Sequence, residues 1–135
     1  MGLDNGICVK RNEYTESIPE LKQFEEEWDK YRGYDFEVAY FRKCYNVRSM
    51  VFRGPIKGIH DNYRSETLSK EDIRIIIDGL QAFNEDNWDE NGGSIWEWNG
   101  LDNYAQYMQM QIEHLETLYC LMEKYELEVY FYDSY

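Results

Sequence analysis

The basic side chains Arg42, Lys43, Arg48, Arg53, Lys57 and Arg64 fall in a stretch whose only acid is Asp61. Cations at that density either neutralise the protein's own carboxylates or hold an external anion. Aromatic rings able to stack on a base accompany them at Tyr40 and Tyr45, and recur at Trp96 and Trp98. Arg42, Lys43, Arg48 and Arg53 for phosphate, with Tyr40, Tyr45, Trp96 or Trp98 for a ring, make a candidate site for an anionic, nucleotide-like small molecule.

Other chemistries find less support. His60 and His114 are the only histidines, and neither Cys-x-x-Cys nor His-Glu-x-x-His occurs. The carboxylate runs Glu85-Asp86 and Asp89-Glu90 lack the glycine-centred spacing of a calcium loop, so no metal site and no cofactor is expected. Gly-x-Ser-x-Gly, the Walker loop and Gly-x-Gly-x-x-Gly are missing, and a Cys44 nucleophile would need a histidine that only the fold could bring near. No catalytic residue can be named, and the reading leans away from an enzyme. Cys8, Cys44 and Cys120 are an odd number at wide spacing, which suits reduced, buried thiols.

Charge suggests a second reading. Lys plus Arg number 14 against 27 Asp plus Glu, a net charge of −13. Residues 1–64 carry 11 bases and 11 acids, whereas 65–135 carry 3 and 16. Such a balance excludes direct coating of a nucleic acid. It suits the opposite role, an acidic protein that imitates a duplex backbone and blocks a nucleic-acid-binding protein, provided that Asp102, Glu113, Glu116 and Glu123 spread over one exposed face. No apolar run reaches the roughly 18 residues of a membrane span, and the first residues lack the basic and apolar regions of a signal peptide. A cytoplasmic protein with no membrane contact is expected.

These residues must be positioned by a chain that reads as one α+β domain over 1–135. Leu3 to Lys10 and Leu127 to Tyr132 alternate with strand period, and strands at both termini invite antiparallel pairing in one small sheet. Ser17 and Pro19 mark a helix start, with Leu21 to Tyr31 following. Val38, Phe41, Cys44, Tyr45, Val51 and Phe52 recur at three to four residue spacing, which predicts a helix over Glu37 to Phe52. Residues 54–66 read as a connection. Ser69-Lys70-Glu71-Asp72 resembles a capping box ahead of a Lys70 to Phe83 helix with Ile73, Ile76, Ile77 and Leu80 on one stripe. Asn84 to Gly100 reads as an ordered loop. A long helix over Asp102 to Tyr125 follows, with one apolar row through Met108, Ile112 and Leu115 and a second through Tyr107, Met110, Leu118 and Leu121. Two rows predict burial on two sides, hence a homo-oligomer or a cover from the Trp loop.

On the predicted 37–52 helix, with about 100° per residue, Arg42 and Arg53 share a face and Arg48 falls inside the apolar sector. A guanidinium there must meet a carboxylate, carbonyls, a wet cleft or a bound anion, brought by another element.

The same residues carry a resemblance. Met1-Gly2-Leu3-Asp4, Glu37-Val38-Ala39-Tyr40-Phe41-Arg42-Lys43 and the aromatic close Tyr130 to Tyr135 resemble a set of small bacteriophage proteins. Those proteins begin Met-Gly-Leu-Asp-Met, carry Val-Ala-Tyr-Trp-Arg-Lys in a helix and end in an aromatic strand. Here Asn5 replaces the Met, Phe41 the Trp, and Arg48 stands where a His is common. The resemblance implies a phage origin and the fold just described, and names no reaction; in a phage protein, either capture of a nucleotide-like signal or blockade of a host factor would be a counter-defence role.

Overall fold

The computed structural model describes residues 4–25, 33–42, 65–82 and 95–134, with side chains at 6–25, 33–41, 67–82 and 106–132. In chain order the elements are β1 (Asp4–Val9), α1 (Glu13–Glu16), a 3-10 helix (Pro19–Phe24), β2 (Phe36–Arg42), β3 (Ser65–Thr67), α2 (Lys70–Gln81), α3 (Ile95–Lys124) and β4 (Val129–Ser134). The strands form one antiparallel sheet in the order β2-β1-β4-β3. The fold is α+β, and the N- and C-terminal strands pair as expected, in register from Asp4 opposite Ser134 to Val9 opposite Val129.

The sheet has two unlike faces because side chains alternate across each strand. Ile7 and Val9 of β1, Val129 and Phe131 of β4, and Phe36 and Phe41 of β2 are all at most 1% exposed. They pack against Ile73, Ile76, Ile77 and Leu80 of α2 and Met108, Ile112, Leu115 and Leu118 of α3 in one apolar core. The α2 stripe is the one read from the sequence. Its start is also as read: the Ser69 hydroxyl accepts from the Asp72 N–H at 3.1 Å and the Asp72 carboxylate accepts from the Ser69 N–H at 2.9 Å.

The central element differs from its sequence reading. Residues 36–42 are a strand, not the first half of a helix, and the rest of the predicted 37–52 helix lies outside the described residues. The cause of the misreading is a β-bulge. Ile7 pairs with Ala39 and Cys8 with Glu37, which leaves Val38 as the extra residue. Buried positions therefore run Phe36, Val38, Ala39, Phe41, a spacing that imitates a helix while the backbone is extended. Gly33, at φ +71°, takes the left-handed conformation in the turn before this strand.

Sheet edges need their backbone groups satisfied, and β2 is served by α3. Gln111, 4% exposed, accepts from the Tyr40 N–H at 3.1 Å, and the Tyr107 hydroxyl donates to the Tyr40 carbonyl. The long helix also begins earlier than expected. Ile95 to Gly100 belong to α3 rather than to a loop, while 84–94 lie outside the described residues. The second apolar row of α3 is largely used within one chain, with Leu118 and Leu121 at 0% and 6% exposure and Met110 exposed.

After β1, a short helical segment folds back over the core. Asn12 and Thr15 cap α1 reciprocally at 2.9 and 2.8 Å, and the Thr15 hydroxyl donates to the Lys10 carbonyl. Ser17 is not the expected helix cap: its hydroxyl donates backward to the Tyr14 carbonyl, and Pro19 opens a 3-10 helix that ends at Phe24. Leu21 and Phe24 are buried, and Phe24 meets the His114 ring edge-on at 5.5 Å. Glu20 receives Lys124 at 2.8 Å and the Tyr125 hydroxyl, which ties this segment to the end of α3; the Lys124 ammonium holds the Glu20 carboxyl below its usual range.

Candidate functional site

The face of the sheet away from the helices carries polar chemistry. Tyr130 and Tyr132 stand two residues apart on β4, while Asp35 and Glu37 stand two residues apart at the start of β2. β1 runs between those strands, so each phenol crosses it to reach its carboxylate. Tyr130 donates to Asp35 at 2.5 Å and Tyr132 to Glu37 at 2.6 Å. The crossing explains Gly6, which pairs with Tyr132: a Cβ there would lie 2.7 Å from Tyr132 Cε1 and 2.9 Å from the Ala39 carbonyl oxygen. Cys8, 5% exposed, pairs with Tyr130.

Burial, reinforced by the carboxylate partner, pushes the ionisation of both Tyr130 and Tyr132 well above the ordinary tyrosine value. Phenols held this way donate hydrogen bonds and surrender protons reluctantly. They fix geometry and offer ring faces, which is binding chemistry.

Asp35 is positioned from behind by Arg11, whose backbone N–H donates to its other oxygen at 2.9 Å. The Arg11 guanidinium, with its side chain 7% exposed, is the buried cation of the described region. It donates to the Tyr34 carbonyl at 2.6 Å and to Glu16 at 3.0 Å, pairs with Glu25 at 2.6 Å and lies 4.3 Å over the Phe36 ring. Its carboxylates hold its charge more firmly than burial opposes it.

Beside this ladder, Lys10, Asp35, Thr67, Glu128 and Tyr130 line a cleft of about 380 Å³. A second, of about 490 Å³, lies between Lys70, Met122, Tyr125, Glu126, Leu127 and the same Glu128. Among the described residues no group of His, Cys, Asp or Glu could hold a metal ion, and no helix is long and apolar enough to cross a membrane.

Of the residues proposed from sequence for anion capture, Tyr40 is half-buried on β2 and its backbone is engaged by Gln111 and Tyr107. Arg42 closes β2, so the helical face it was expected to share with Arg53 does not exist at its end. Trp96 and Trp98 lie in the first turns of α3, with their side chains outside the described set. Lys43, Tyr45, Arg48 and Arg53 lie outside the described residues.

Compared with protein-family models, curated proteins and solved structures, the chain finds no match. Its own surface must supply the functional argument.

That surface is acidic on the helical side. Glu113, Glu116 and Glu123 are exposed on one arc of α3, and Glu71 and Asp78 are exposed on α2. The cations in this layer are partly exposed and paired with carboxylates: Lys70 lies 3.7 Å from Glu123 and Arg74 3.1 Å from Asp78, both beside the Tyr119 ring, and Lys124 reaches Glu20 at 2.8 Å. Asp102, the fourth carboxylate proposed for this face, lies on α3 with its side chain outside the described set. The ladder was missed because its recognition needed the strand assignment of 36–42. Once that stretch is extended, Asp35 and Glu37 fall in phase with Tyr130 and Tyr132.

Proposed function

We propose that this is an interaction protein that docks, through the acidic outer side of its α2 and α3 layer, on the basic surface of a host nucleic-acid-binding protein and so competes with the nucleic acid. The observation that carries the reading is the common exposed arc of Glu113, Glu116 and Glu123, in a half of the chain with 16 acids against 3 bases. Carboxylates repeated along a rigid helix present charge at fixed intervals, as a phosphate backbone does, and such a field steers association and selects basic partners. The resemblance to small phage proteins supplies a setting, the cytoplasm of an infected bacterium.

The test is displacement of purified basic DNA-binding proteins from DNA-cellulose. The protein should release them at low salt and fail progressively as salt is raised. Glu113→Gln, Glu116→Gln and Glu123→Gln should weaken release in steps. Release that is equal at high salt, or native mass spectra showing a retained nucleotide and no release at all, would overturn the reading in favour of nucleotide sequestration.

A further inference from the structure

The cleft beside the tyrosine ladder has the makings of a guanidinium site. Its walls come from separate parts of the sheet: Lys10 just after β1, Asp35 just before β2, Thr67 in β3, and Glu128 and Tyr130 at the start of β4. Strand pairing fixes them, since the Lys10 N–H donates to the Glu128 carbonyl at 2.9 Å and Thr67 pairs with Tyr130. Asp35 and Tyr130 are held by each other and by the Arg11 backbone, whereas Thr67 and Glu128 are exposed. No ion pair among the described residues uses Lys10 or Glu128.

The molecule already shows what such a set accommodates. Arg11 is held by two carboxylates, a carbonyl and the face of an aromatic ring. The cleft presents a related set to the outside: the exposed Glu128 carboxylate, the Thr67 hydroxyl, and Tyr130 with Asp35, each of whose oxygens already accepts one hydrogen bond. An exposed carboxylate can take a planar guanidinium through two parallel hydrogen bonds, and a phenol ring can lie against its face.

We propose that this cleft receives the guanidinium of an arginine side chain projecting from the basic partner. The inference rests on the reading that the partner is a basic protein, and it places the anchor on the sheet face opposite the α2 and α3 arc, within reach of an extended basic segment and not of the surface docked on the helices. Lys10 opposes the incoming charge, but its side chain is exposed and can carry its ammonium into water. This opposition gives the proposal a sign that a site for an anion or for a zwitterion would not share.

The experiment titrates N-acetyl-arginine amide into the full chain and follows backbone amide resonances, with the neutral isostere N-acetyl-citrulline amide as control. Saturable shifts should centre on Lys10, Thr67, Glu128 and Tyr130 with the arginine compound only. Glu128→Gln should weaken uptake by about two- to fivefold, and Lys10→Gln should strengthen it by a similar factor. Equal shifts with citrulline, shifts centred on α3 instead, or weaker uptake in Lys10→Gln would each overturn the proposal. The variant with glutamine at 113, 116 and 123 separates the two readings. It should retain arginine uptake while losing displacement from DNA-cellulose; intact displacement with intact uptake would sink the helical docking surface and leave the cleft standing.

Discussion

The two faces of the sheet are built from the same strands and obey different physics. On the helical side Ile7, Val9, Val129 and Phe131 are fully buried, and stability comes from apolar area removed from water, which has little directional demand. On the other side Tyr130 and Tyr132 reach across β1 to Asp35 and Glu37, and the contacts depend on donor, acceptor and distance. Area is forgiving of where a partner comes from; a hydrogen bond is not. The contacts of the polar face therefore depend on geometry where those of the helical face depend on area.

The sharpest way to break that comparison is to remove an anchor from the helical side. Phe131→Ala should destabilise by about 3–5 kcal/mol, since it loses transfer free energy and leaves a cavity between sheet and helices. Chemical denaturation measures it, and a cost equal to that of a change on the polar face would erase the distinction.

Arg11, stacked on Phe36 at the margin of the helical-side core, tests whether a buried charge there can rival an apolar anchor. Its side chain and that of Glu25 are 7% and 8% exposed. Arg11→Met keeps the stem against Phe36 and strands the carboxylate, so about 3 kcal/mol of stability should be lost. A neutral or stabilising result would mean that Glu25 rehydrates freely.

Gly6→Ala sits between the faces. A methyl group would press on the Tyr132 ring and on the Ala39 carbonyl, and the latter is backbone that cannot swing aside. The expected cost is about 1–3 kcal/mol. Combining it with Tyr132→Ser should recover part of that loss in a double-mutant cycle, because the ring contact goes and the carbonyl contact stays. Full additivity would show that the ring does not rest on Gly6.

What could be read in the sequence follows the same division. The α2 capping box, its isoleucine stripe and the alternation of the terminal strands are local signals, complete within a dozen residues, and each is present in the structure. Phe36 to Arg42 was not legible because one bulged residue, Val38, converts a two-residue period into one that imitates a helix. The start of α3 was hidden by Trp-Glu-Trp-Asn-Gly, which reads as punctuation although the backbone there is helical. The rule that a cation in apolar surroundings must find carboxylates and carbonyls describes Arg11 well, but its partners come from Glu16, Glu25 and Tyr34, at separations no periodicity reveals. The cleft at Glu128 was equally invisible, since its walls meet only through strand pairing.

The smallest effect, and the one that most sharpens the comparison, is on pH. In the fold Tyr130 and Tyr132 are protonated and neutral, and burial together with a carboxylate acceptor raises their ionisation above that of a tyrosine in the unfolded chain, about pH 10. A raised folded value means that the native state holds the proton more tightly. The stabilisation is complete below pH about 10 and is lost as pH climbs above it, because only the unfolded chain then releases the protons. Of the 13 tyrosines, these two should release their protons together with unfolding, as a late step in the ultraviolet absorbance of tyrosinate. Tyr132→Phe should cost about 1 kcal/mol at neutral pH, since Glu37 is exposed and can rehydrate, and should flatten the alkaline loss of stability. An alkaline midpoint that Tyr132→Phe leaves unchanged would mean that the ladder is decoration on a sheet held by its apolar side alone.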